Sequence, residues 1–191
     1  MRMKLTLLAV AALSLAATGT AAERARVVPQ VDPLPKALDG DFEFRKTKLF
    51  LLSDNKTGSI QVGGLRPGKA KAVGSNESEG ADASINFERQ YRLFGAVTNY
   101  DRRQRYGNYF DFFWRAKRDA DLTVRLEYRQ DKLRSFVQAR EVRYPNARGS
   151  HKTEFRIIGD DFLDDGRVIA WRALLVENGR IVAENRSYLW E

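Results

Sequence analysis

The chain has 191 residues, one histidine, no cysteine and a formal net charge of +8, with 43% hydrophobic and 30% charged residues. These figures fit one globular domain and exclude a collagen-like or wholly disordered chain. Without cysteine there is no disulfide scaffold, no thiolate metal centre and no cysteine nucleophile, and a lone His151 excludes a multi-histidine metal site.

Residues 1–22 have the three parts of a secretory signal peptide. Met1 to Lys4 is short and positive, Leu5 to Ala17 is apolar, and Thr18 to Ala22 is built of small residues. Cleavage is expected after Ala22, which implies a secreted or periplasmic protein. No later stretch of about 18 apolar residues follows, so no integral membrane span is expected after cleavage.

Residues 23–41 carry Pro29, Pro33 and Pro35 among scattered charges. Proline cannot donate to a ladder or continue a helix, so this segment reads as an extended leader that becomes ordered near Phe42. Residues 42–191 read as one domain. Phe42 to Leu52 is expected to form a first strand and Ile60 to Val62 a short one, separated by the turn residues Ser53 to Gly58. Residues 63–84 are rich in Gly, Ala and Ser and read as a long flexible loop.

Period-2 patterning then recurs. Phe87, Arg89, Tyr91, Leu93, Gly95 and Val97 would share one face of a strand. Phe110, Phe112, Trp114 and Ala116 would share the core face of the next, and Leu122, Val124, Leu126 and Tyr128 that of a third, whose other face is charged. Leu133 to Tyr144 suits either a helical turn or a bulged strand, with the surrounding β pattern favouring the strand. Pro145 to Gly149 would close it. His151, Thr153, Phe155 and Ile157 define another half-buried strand. Val168 to Val176 and Ile181 to Trp190 flank Asn178-Gly179, the chemistry of a type I′ hairpin. Its simplest register pairs Val176 with Ile181, Leu175 with Val182, Trp171 with Arg186 and Ile169 with Tyr188. Arg186 would then lie over Trp171 as a cation–π pair.

About eight or nine strands at roughly 10-residue spacing, with no helix expected, predict an all-β, two-layer antiparallel sandwich. The run Tyr109 to Lys117, the segment Leu122 to Tyr128, and Trp171, Asn178-Gly179 and Tyr188-Leu189-Trp190 resemble small exported bacterial proteins with an immunoglobulin or fibronectin type III-like sandwich. The resemblance spans about residues 86–191, counted by this motif order. The immunoglobulin cysteine pair is missing, so the likeness is architectural. It implies fold and compartment, not an activity.

Few chemistries find support. His151 would have to serve any triad, with Ser150 or Ser135, but no Gly-x-Ser-x-Gly element presents a nucleophile. The simpler reading is a histidine bonded to backbone at the start of a strand. Asp160, Asp161, Asp164 and Asp165 form an acidic cluster that is a weak candidate for Ca²⁺. The EF-hand frame fails there, and a solvated Asp-Gly turn accounts for the same residues. Glu127 and Glu141 are a conceivable glycosidase pair across strands. No Walker loop, dinucleotide fingerprint or His-Glu-x-x-His motif occurs, and no cofactor is implied.

The most suggestive segment is Asn99 to Gly107. Here Tyr100, Arg102, Arg103, Arg105 and Tyr106 combine anion-binding forks with aromatic faces. They are the candidate ligand-binding residues, weighed against an ordinary solvated loop. The aromatic run Tyr109 to Trp114 reads as core rather than as a sugar platform. The expected function is a non-catalytic exported sandwich that binds an envelope protein or an anionic surface polymer such as an acidic glycan. An accessory subunit docking its partner by strand addition, at an edge such as Leu122 to Arg129, is the alternative. A carbohydrate-active enzyme is the third reading. No nucleic-acid module is visible, so sequence-specific nucleic-acid binding is not expected.

Overall fold

The computed structural model describes residues 25–54, 60–63 and 76–190. The signal peptide expected at residues 1–22 and residues 64–75 of the expected 63–84 loop lie outside the described residues; residues 76–84 of that expected loop are helical instead. The chain is predominantly antiparallel β-sheet. Among the described residues there are seven strands, in one sheet, and three helices: β1 (Arg26–Val28), β2 (Phe42–Leu52), β3 (Ile60–Gly63), α1 (Asn76–Leu93), α2 (Asn99–Arg103), β4 (Gly107–Gln130), β5 (Gln138–Ile158), α3 (Asp160–Asp165), β6 (Val168–Glu177) and β7 (Arg180–Arg186). The expectation of eight or nine strands and no helix is corrected on both counts.

The frame of the sheet is the long β4–β5 hairpin. The two separate strands expected at Tyr109–Arg118 and Leu122–Tyr128 are one strand of 24 residues. Register shifts between Ala116, Ala120 and Leu122 absorb the charged interruption at Asp119 and Asp121 and let the ladder resume. Pro145 to Gly149 likewise does not end β5. Asn146 and Gly149 adopt φ of 48° and 84° opposite that bulge, and Asp121 accepts from the Asn146 amide.

β5 occupies one edge of β4 along most of its length. The other edge is divided, with β2 pairing Gly107 to Ala116 and β6 pairing Leu122 to Gln130. β7 follows β6 and comes back beside β2, where Asn185 donates to the Thr47 hydroxyl at 2.7 Å. Strands on both sides of the bulge contribute to one buried core, in which Phe112 of β4 lies 5.5 Å from Trp171 of β6 between ring centres. The alternation expected of β4 holds: Phe110, Phe112, Trp114, Ala116, Leu122, Val124, Leu126 and Tyr128 are all buried. The Trp114 indole N–H is satisfied inside by the Thr153 hydroxyl at 2.8 Å.

The Pro-containing segment is ordered earlier than expected. β1 pairs β5, and residues 35–39 run along the free edge of β7, with Ala37 and Asp39 donating to Ile181 and Val182 carbonyls at 2.9 Å. The β6–β7 turn has the predicted left-handed residues, Asn178 at φ 50° and Gly179 at 73°. Val176 pairs Ile181 as expected, but a register shift follows, so that Leu175 faces Ala183 and Arg172 faces Arg186. Arg186 does not meet Trp171, and Tyr188 lies past the end of β7. The chain instead folds back to place Trp190, buried, against the guanidinium groups of Arg129 and Arg172 at 4.8 and 5.1 Å.

Candidate functional site

The segment expected to be a strand at residues 87–97 is instead the last part of α1, up to Leu93, followed by a turn over residues 94–97. Its inner side docks on the sheet. Ile85 and Leu93 pack toward Phe50, Leu52, Tyr106 and Tyr109. Arg89 donates to the Ser53 carbonyl, and Arg92 donates to Glu88 at 2.7 Å and Glu154 at 2.6 Å. Its outer side mixes polar Asn86 and Gln90 with two large exposed rings, Phe87 and Tyr91, each 68% exposed.

Gly95, at φ 80°, supplies the left-handed residue that ends the helix. A tight tip follows, and α2 begins at once. Thr98 caps α2 with a full capping box: its hydroxyl accepts from the Asp101 amide at 3.0 Å and its own amide donates to the Asp101 carboxylate at 2.9 Å. Hydrogen bonding of the Asp101 carboxylate to the Thr98 backbone first, and to the Thr98 side chain second, holds it below the usual aspartate range. The tip is tied from behind by Arg105, whose Nη1 donates to the carbonyls of Arg92 and Phe94.

The five candidate ligand-binding residues therefore divide. Tyr100, Arg102 and Arg103 are exposed on α2, and among the described residues neither arginine forms an ion pair. Arg105 is a brace of the tip. Tyr106 is buried, and its hydroxyl donates to Asp54 at 3.0 Å; burial, followed by that carboxylate, pushes its pKa up. The sequence reading missed Phe87, Phe94 and Val97 as surface residues, although Phe94 and Val97 are 85% and 83% exposed. The spacing of Phe87, Tyr91 and Phe94 was the available signal, since it is one face of a helix as readily as part of a strand.

The acidic cluster does not converge. It forms α3, where Asp161 pairs with Arg140, Asp160 accepts from Gln104 and Asp165 accepts from Gln138. Among the described residues no group of three or more His, Asp or Glu side chains is arranged to hold a metal. Glu127 and Glu141 are engaged in a chain of ion pairs across the sheet: Glu141 with Arg125 at 2.6 Å, Glu127 with Arg172 at 2.6 Å, and Glu184 with Lys36 at 2.6 Å. His151 stacks on Trp114 at 4.5 Å, with Nε2 against the Arg148 carbonyl at 2.9 Å. The edge expected at Leu122 to Arg129 is interior, paired by β5 on one side and β6 on the other. Among the described residues no helix is long and apolar enough to cross a membrane.

Comparison with protein-family models, with curated proteins and with solved structures found no match.

Proposed function

We propose that this is an exported, non-catalytic binding protein of the cell envelope that engages an anionic partner surface through the α1–α2 corner. One observation carries the reading: Tyr100, Arg102 and Arg103 are exposed on a capped helix, without acidic partners among the described residues, and close in the chain to exposed Phe87, Tyr91, Phe94 and Val97. Guanidinium groups without a carboxylate are free to fork onto phosphate, sulfate or carboxylate, and contiguous exposed apolar side chains mark contact surfaces. The export pattern of residues 1–22 supports the envelope location. The packing of Phe112 of β4 on Trp171 of β6 supports a sandwich of the immunoglobulin or fibronectin type III kind.

The test is binding to dextran sulfate, a soluble polyanion, over a range of salt. Affinity is expected to fall steeply with ionic strength and to drop about tenfold in Arg102→Ala/Arg103→Ala, at roughly one phosphate-like contact per side chain. Binding that ignores both salt and the double substitution would remove this reading.

A further inference from the structure

α1 carries apolar side chains on both sides. Ile85 and Leu93 turn inward to the sheet with Arg89 and Arg92, while Phe87 and Tyr91 face solvent and Phe94, just past the helix end, extends the exposed set. The apolar surface continues past the helix end through Val97 to Tyr100. The corner presents three kinds of exposed side chain in chain order. The most exposed side chains, Phe94 and Val97 at the tip, are pure hydrocarbon. Tyr91 and Tyr100, one on each flank, carry a polar end on an apolar ring. Arg102 and Arg103 follow in the last turn of α2.

Hydrocarbon, then tyrosine, then arginine is the sequence of environments met on passing from the acyl chains through the headgroups to the phosphates of a bilayer. We propose that this corner docks on an anionic lipid bilayer, inserting Phe94 and Val97 below the headgroups and setting Arg102 and Arg103 on lipid phosphates. The proposal rests on the preceding reading of the corner as an anion-binding surface and names its partner. A second copy of the chain fits less well, because self-docking would bring the same unpaired arginines together. A soluble glycan would make use of the arginines but leave the two hydrocarbon tips in water. The tip is held before it binds: Arg105 grips the carbonyls of Arg92 and Phe94, and the Thr98–Asp101 box fixes the turn into α2. Little ordering is then needed on insertion.

The experiment uses the full chain with unilamellar vesicles of phosphatidylcholine, with and without phosphatidylglycerol. Trp114, Trp171 and Trp190 are all buried, so the indole introduced by Phe94→Trp reports the tip. Its emission is expected to shift to the blue, and to be quenched by brominated acyl chains, only when phosphatidylglycerol is present. Phe94→Ser/Val97→Ser should weaken vesicle partitioning about tenfold or more. Arg102→Ala/Arg103→Ala should weaken it about tenfold and flatten its salt dependence. An emission unchanged by anionic vesicles overturns the proposal. If dextran sulfate binding persists in that case, the polyanion reading survives alone; binding to neither removes both. A blue shift that rises with protein concentration without lipid assigns the corner to a second copy, and it too overturns the proposal.

Discussion

The Arg92 guanidinium carbon lies 4.1 Å from the centre of the Tyr109 ring, so a single side chain both caps an aromatic face of the sheet and pairs with Glu88 and Glu154. Its side chain is only 8% exposed. Through it α1 is pinned to β4 and β5, beside the Arg89 bond to the Ser53 carbonyl and the inward packing of Ile85 and Leu93.

Arg92→Leu should therefore destabilise the protein. Breaking a buried pair typically costs about 3–5 kcal/mol. The loss here should be smaller, about 2 kcal/mol, because Arg156 still reaches Glu154 and Lys152 still reaches Asp111. Urea unfolding would read this as a lower midpoint at unchanged slope. An unchanged midpoint would show that α1 is held by its apolar contacts alone. Arg92→Lys should recover little, since an ammonium cannot reproduce the fork between two carboxylates.

The same network sets a response to acid. Burial raises the pKa of Glu154, but the hydrogen bonds from Arg156 and Arg92 outweigh it, and the net position lies below the ordinary glutamate value. A group depressed in the folded state contributes stability that is complete above its unfolded pKa and is lost as pH falls through the folded one. Stability should thus decline on acidification below the ordinary glutamate range. Glu154→Gln should be less stable than the parent at neutral pH and show a shallower acid decline. Parallel acid profiles for the two proteins would count against the pairing.

Gly107 opens β4 at φ 147°, and a methyl group there would stand 2.1 Å from the Ile157 carbonyl oxygen. The obstacle is backbone, within the paired Gly107–Ile158 end of the hairpin. Gly107→Ala should cost about 3 kcal/mol, combining left-region strain with overpacking. Gly40→Ala, where nothing lies within 4 Å of the added atom, should stay within about 0.5 kcal/mol of the parent. Thermal or urea unfolding of the pair separates steric exclusion from a general effect of adding a methyl group.

The core of β4 was legible because each burial decision there is local. Phe110, Phe112 and Trp114, and then Leu122 to Tyr128, recur at the strand period, and any sheet that buries one buries the set. The Asn178-Gly179 turn was legible for the same reason, since positive φ at both positions follows from the residue types. The continuity of β4 was not, because Asp119 to Asp121 looks like a loop until Ala147 and Gly149 of β5 are found opposite it to carry the bulge.

The α1–α2 corner shows the division most clearly. Residue type alone marked the Asn99 to Gly107 segment as anion-compatible, but could not separate exposed Tyr100, Arg102 and Arg103 from Arg105, which braces the tip, and Tyr106, which is buried. It also offered two periods for Phe87 to Val97, and the strand period suited the surrounding β pattern. Only the folded sheet decided for the helix, because Arg89 and Arg92 find the Ser53 carbonyl and Glu154 when they are on its inner side, and those partners are 36 and 62 residues away. With Arg89 and Arg92 satisfied by the sheet beside inward Ile85 and Leu93, Phe87 and Tyr91 are left to solvent. Chain pattern counts which residues avoid water on average; it has no access to a distant carboxylate that makes burying an arginine favourable.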